Sequence, residues 1–134
     1  MASYLFDTNH ISPLVTPEHN LRSIFTQHKV DGKDFHIASP ALAEMLFGIQ
    51  MLPRVKSNLR EWKRFEKLFT YHSVDKQDAE YAGTLQTSLR QQGWQLGTVD
   101  ALIASVALRY DLILLTTDND YSAVPGLICQ NWLS

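Results

Sequence analysis

Leu112-Ile113-Leu114-Leu115 are four consecutive aliphatic residues set between Asp111 and Thr116. A strand with one wet face alternates apolar and polar residues. An unbroken run belongs to a strand covered on both faces, as in a parallel sheet. Parallel neighbours need crossovers of a dozen or more residues, usually helices, and the chain supplies them. Tyr4-Leu5-Phe6 and Phe35 to Ala38 read as two further buried strands, and Tyr71 to Val74 and Leu127 to Cys129 as two more. Between them the apolar spacing is helical: Leu21, Ile24 and Phe25 within Glu18 to Lys29; Leu42, Met45, Leu46 and Ile49 before Pro53; Leu59, Trp62, Phe65 and Phe69 within Ser57 to Phe69. Asp75 is placed to cap a helix running through Ala82, Leu85 and Leu89 to Gly93. Ser39 and Thr98 are placed to cap two others, the second with Val99, Leu102, Ile103 and Val106 inward. Strands separated by helices predict an α/β fold: three α/β/α layers around a central, mostly parallel sheet.

At 134 residues, with no linker-like or repetitive tract, the expectation is a single domain over 1–134 that folds without staples. The lone cysteine, Cys129, cannot form an internal disulfide, which points to a reducing compartment and a cytoplasmic protein. No apolar run reaches the ~18 residues of a membrane helix, and the N-terminus lacks the pattern of a secretion signal.

In open parallel sheets, sites form beyond the carboxyl ends of strands. Asp7-Thr8-Asn9 follows the first strand, and Thr116-Thr117-Asp118-Asn119-Asp120 follows the aliphatic one. Glu44 lies one turn into the helix after the second strand, off its apolar stripe, and Asp100 lies in the first turn of the helix after Gly97. Taken singly, each acid has a plainer reading: a turn residue for Asp7 and Asp118, a dipole partner for Asp100, a solvated position for Glu44. Taken together, they share one edge of the sheet. Four carboxylates in one pocket repel and raise each other's pKa. A divalent cation removes the conflict, and an all-oxygen set without clustered Cys or His favours Mg²⁺ or Mn²⁺ over Zn²⁺.

Half of the twelve basic side chains fall between Arg54 and Lys67. Lys56, Arg60, Lys63 and Lys67 recur at helical spacing as a stripe able to meet phosphates, or simply as a solvated face paired with Glu61 and Glu66. Trp94 reads as a core cover more readily than as a base-stacking platform, and His10 as a partly exposed histidine at a helix start. Phe47 and Met51 suit either packing or a protein interface.

The blocks Tyr4 to Asn9, Ile37 to Ile49, Gly93 to Ala104 and Leu114 to Tyr121, followed by Val124 to Leu127 and Asn131-Trp132, resemble in order and spacing the PIN-domain family. The nearest likeness is to its VapC-type toxin ribonucleases. The resemblance implies that Asp7, Glu44, Asp100 and Asp118 hold the metal and carry catalysis, with Asp120 as a further acid and Thr8, Asn9 and Thr116 in support. It further implies an RNA substrate, a cognate antitoxin and a homodimer. Ionised ligands predict activity that falls at acidic pH. Two alternatives stand beside this expectation: a non-cleaving PIN-like module binding RNA or protein, and a DNA-directed metal-dependent nuclease.

Overall fold

The computed structural model describes residues 2–133. Five strands form one sheet: β1 (Ser3–Phe6), β2 (Asp34–Ala38), β3 (Thr70–His72), β4 (Ile113–Leu115) and β5 (Cys129–Gln130). Their order is β3-β2-β1-β4-β5, and every pairing is parallel. Six helices connect them: α1 (Thr8–Ile11), α2 (Leu21–Val30), α3 (Ser39–Met51), α4 (Val55–Phe65), α5 (Lys76–Gln91) and α6 (Thr98–Arg109). Successive residues of a strand face opposite sides. Leu5 and Phe6, Ile37 and Ala38, and Leu114 and Leu115 are all buried, so both faces of the sheet are covered and the three-layer expectation holds.

The central strand is β1. On one face, the Phe6 ring meets Phe25, Phe35 and Phe69 at centroid separations of 5.9, 5.2 and 5.1 Å. These edge-on and tilted packings tie α2, β2 and the entry to β3 into one cluster.

Several boundaries differ from the sequence reading, for local reasons. α3 is capped by Ala38 and α6 by Gly97, without side-chain caps; Ser39 and Thr98 are already the first helical residues. α4 starts at Val55, earlier than Ser57, and closes in a 3₁₀ turn over Glu66–Leu68. Asp75 does cap α5, in a reciprocal box with Asp78. Val99 is exposed, because the inward face of α6 is carried by Ala101, Ile103, Ala104, Val106 and Ala107. α6 packs on α5, where the Ser105 hydroxyl donates to Asp78 at 2.8 Å.

The sheet order reverses between β1 and β4: the chain moves outward from β1 through β2 to β3, then returns to the far side of β1. At such a switch point the two adjoining connections diverge and leave a crevice at the carboxyl ends. Backbone bonds hold those ends level. The Asp7 N–H donates to the Leu115 carbonyl at 3.0 Å, and the Thr116 N–H donates to the Gln130 carbonyl at 3.0 Å.

Candidate active site

Asp7 stands at the switch point, as the N-cap of α1. Its Oδ1 accepts from the Thr8 N–H at 2.9 Å. Its Oδ2 accepts from the Thr116 hydroxyl at 2.7 Å and from the Asn9 side-chain amide at 3.3 Å. The residue is only 6% exposed. Burial pushes its carboxyl above the ordinary range; the Thr116 and Thr8 bonds partly offset that, and the charges of Glu44 and Asp118 add to the rise.

Thr116 joins the Asp7 carboxylate to the backbone of the loop that carries Asp118. Its hydroxyl donates to Asp7 and accepts from the Asp118 N–H at 3.0 Å. Asp118 in turn caps the short 3₁₀ turn Asn119–Ala123, its Oδ1 accepting from the Asp120 N–H at 2.9 Å. Glu44, exposed on α3, reaches the cluster through Thr8, whose hydroxyl donates to its Oε1 at 3.3 Å. Asp100 is half-buried in the first turn of α6, and the Tyr121 hydroxyl donates to its Oδ1 at 3.0 Å. Burial raises the Asp100 pKa, against the Tyr121 bond, and the charges of Asp7, Asp118 and Asp120 raise it further. Burial and the charges of Asp7, Asp100 and Asp118 push the Tyr121 phenol up, so it remains a donor.

The fold therefore sets Glu44 and Asp118 within electrostatic reach of Asp7, and Asp7, Asp118 and Asp120 within reach of Asp100, with Asp120 exposed. Among the described residues none of these five forms an ion pair with Lys, Arg or His. Nor do any three acidic, imidazole or thiol groups close around a single point. The acids frame an opening instead of a tight cage.

Two residues were misread in sequence. His10 is fully buried: its Nε2 accepts from the Trp132 N–H at 3.0 Å, so Nδ1 carries the proton and meets the Asn9 Oδ1 at 2.7 Å. Burial lowers its pKa to about 4. It orients Asn9, whose Oδ1 also accepts from the Thr117 N–H at 3.2 Å. Trp94 is 36% exposed and not a core cover. Tyr121, which the sequence does not single out as a site residue, is the group that holds Asp100; its place one residue after Asp120 is the available signal.

The basic stripe lies elsewhere. Lys56, Arg60, Lys63 and Lys67 are all exposed on or just beyond α4, which packs on α3. Lys63 pairs with Glu66 at 3.2 Å. Lys63 and Lys67 border an apolar groove with Leu42, Leu46 and Trp62. Phe47 and Met51 are exposed, which removes the core-packing reading for them.

The PIN domain matches residues 4–127. The chain belongs to the PIN-domain family. Ribonuclease VapC2 of Rickettsia felis is 30% identical over 97 residues, 72% of each chain. The tRNA(fMet)-specific endonuclease VapC of Shigella flexneri is 24% identical over 133 residues, 98% of this chain and 99% of that one. The crystal structure of VapBC2 from Rickettsia felis, bound to a DNA fragment from its promoter, superposes with a TM-score of 0.83 at 25% identity and covers 97% of this chain and 98% of that one. The fold of this PIN chain is thus shared over nearly the full length of both chains.

Proposed function

We propose that this PIN-domain chain is a divalent-metal-dependent endoribonuclease, the toxin of a toxin–antitoxin pair. The observation that carries the reading is that Asp7, Glu44, Asp100 and Asp118 gather at the switch point and, among the described residues, form no ion pair with Lys, Arg or His. The donor set fits a hard cation. It is all oxygen, its most buried member resists ionisation without a counter-charge, and its open frame suits an ion that keeps several waters, as Mg²⁺ does. Asp7, Glu44, Asp100 and Asp118 would hold Mg²⁺ or Mn²⁺, with Asp120 at the edge. When bound, the ion supplies positive charge that polarises the scissile phosphate and activates a water for attack.

The chain's own residues set the geometry. Thr116, Thr8 and Asn9 leave Asp7 a single orientation. Tyr121 fixes Asp100, and Thr8 steers Glu44. Asp118 is turned by bonds within its own loop. Such preorganisation is the protein's share of the catalysis, because the charges need not reorganise at the moment of reaction.

The names of the relatives support RNA as substrate, and the family resemblance supports an antitoxin partner. Exposed Phe47, Met51 and Leu52 at the end of α3 offer an apolar surface for a homodimer. The family match over 4–127 supports one domain. The lone Cys129 supports a reducing, cytoplasmic setting, and no helix among the described residues is long and apolar enough to cross a membrane.

The test is cleavage of a mixed tRNA and structured-RNA pool by the purified chain with Mg²⁺, Mn²⁺ or EDTA, beside Asp7→Asn. Metal-dependent cuts that vanish in the variant are expected. Cuts that persist in EDTA or in Asp7→Asn, or an intact pool with metal bound, would overturn the reading.

A further inference from the structure

α5 ends in a left-handed turn. Gly93 takes φ 80°; its N–H donates to the Arg90 carbonyl at 3.0 Å, and the Trp94 N–H donates to the Leu89 carbonyl at 2.9 Å. This paired closure is the Schellman motif, for which glycine supplies the left-handed residue without strain. It holds the residue after the glycine against the last turn of the helix, the turn that carries Arg90. The Trp94 indole N–H then donates to the Asp120 carbonyl at 2.9 Å, so the ring's edge is fastened to the loop bearing Asp118 and Asp120. Gln86 ties down the far end of the same connection, donating to the Leu96 carbonyl at 3.0 Å and meeting the Thr98 hydroxyl at 3.2 Å. The connection is pinned at each end, with the indole still partly exposed between the pins.

A cleft of about 450 Å³ opens between α5 and this connection, bordered by Arg90, Trp94, Gly97 and Thr98. A second, of about 600 Å³, shares Arg90 and Trp94 and reaches Asp120. Each falls within the ~300–1,000 Å³ of ligand sites. Together they lead from the start of α6, which carries Asp100, to the Asp118–Asp120 loop. Arg90 is exposed and, among the described residues, makes no ion pair. The carboxylates themselves repel a polyanion, so a strand entering the site needs a cationic foothold close by. A guanidinium supplies phosphate contact. An immobilised indole supplies a π-face at little entropic cost, and every base has a face to offer it.

We propose that this cleft is a single-stranded RNA subsite, in which Arg90 pairs with a backbone phosphate and Trp94 stacks on a base flanking the scissile bond. The proposal rests on the reading of the carboxylate cluster as an RNA-cleaving centre and adds the residues that hold the strand. A single strand fits, because the indole needs an unstacked base and a duplex keeps its bases stacked. The α4 stripe borders a groove lined by Leu42, Leu46, Leu59 and Trp62 that includes none of the site's carboxylates, whereas the cleft beside Trp94 reaches Asp120.

The test titrates a short fluorescein-labelled single-stranded RNA of mixed sequence into the full chain carrying Asp7→Asn, so that nothing is cut. Trp94→Ala should weaken binding roughly five- to 150-fold, the range for one lost base–aromatic stack. Trp94→Phe keeps a ring without the indole N–H and should bind close to the parent. Arg90→Gln should reduce the log–log salt slope by about 0.7, one phosphate contact on a single strand, and Arg90→Lys should restore it. Parental affinity and slope in Trp94→Ala and Arg90→Gln would overturn the proposal. So would Trp94→Phe binding as weakly as Trp94→Ala, which would make the indole a prop for the Asp120 loop. So would a parent that binds no RNA. Cleavage by the wild-type chain with Mg²⁺ or Mn²⁺ is scored separately. Absent cleavage with Trp94-dependent binding removes the nuclease and keeps the subsite; cleavage with binding indifferent to both residues removes the subsite and keeps the nuclease.

Discussion

Replacing Asp7 by asparagine should stabilise the protein in EDTA and at the same time remove its response to divalent cations. Asp7 is buried at the switch point among other acids, and burial together with the charges of Glu44 and Asp118 lifts its pKa. A carboxylate whose folded pKa is raised binds a proton more tightly in the fold than in the unfolded chain. Ionised at neutral pH, it therefore works against folding, and that cost is relieved as pH falls through the folded pKa. Asparagine keeps the shape and an oxygen for the Thr8 N–H, its amide N–H can donate to the Thr116 hydroxyl in place of accepting from it, and only the 3.3 Å bond from Asn9 is lost, while the charge is removed. The gain from the cation follows from mass action. A ligand at a hundred times its Kd that binds only the fold stabilises by about 2.7 kcal/mol. Unfolding entropy near 2.1 cal/mol/K per residue, over 134 residues, converts this to a rise of about 10 °C in Tm. Thermal unfolding followed by circular dichroism, in EDTA and in Mn²⁺ at such an excess, gives four melting curves. Wild type should melt lower than Asp7→Asn in EDTA and gain about 10 °C with the cation, while the variant gains little. A variant that melts below wild type in EDTA, or that gains as much from Mn²⁺, would refute the reasoning.

His10 should make the fold acid-sensitive: neutral when buried, with a pKa of about 4, it takes up its proton on unfolding at any pH between that value and ~6.5. Stability should therefore fall by up to about 3 kcal/mol as pH drops across that window, and urea midpoints for His10→Gln should show a shallower slope; identical slopes would count against it. Asp78 is fully buried and accepts from the Ser105 hydroxyl at 2.8 Å, the Asp75 N–H at 3.0 Å and Arg109 at 3.1 Å. Asp78→Ala leaves the Ser105 hydroxyl and the Asp75 N–H without their acceptor, while Arg109 keeps Asp75 at 3.0 Å, and should cost about 1–3 kcal/mol in denaturant unfolding; a loss below about 0.5 kcal/mol would show the network to be dispensable. Thr116→Val removes the hydroxyl shared by Asp7 and the Asp118 N–H and should cost about 1–3 kcal/mol and slow RNA cleavage, with Thr116→Ser restoring both; equal rates in all three would place Thr116 outside the site's support.

The features legible in sequence are those settled by neighbours along the chain. Leu112 to Leu115 declares a doubly covered strand because no polar residue interrupts it, and Asp75 declares the start of α5 because its partner Asp78 is three residues away. The four acids were legible for the same reason, since each follows a strand or opens a helix. Misreadings arose wherever another segment decides. His10 looks like an exposed helix-start residue until Trp132, 122 positions away, closes over it. Val99 sits at an apolar position of its helix, yet the buried positions of α6 are Ala101, Ile103, Ala104, Ser105, Val106 and Ala107. Trp94 reads as core, because its exposure depends on where the Asp120 carbonyl stands.

Sequence alone thus determined the strands, the helices between them and the acids at their ends, because backbone hydrogen bonding and apolar periodicity act over a few residues. The tertiary structure decided which of those acids meet. Only the order β3-β2-β1-β4-β5 sets β4 beside β1 and brings Thr116 to within 2.7 Å of a carboxylate 109 residues earlier. That order is chosen by crossovers burying both faces of one sheet, a condition on the whole chain that no local window contains.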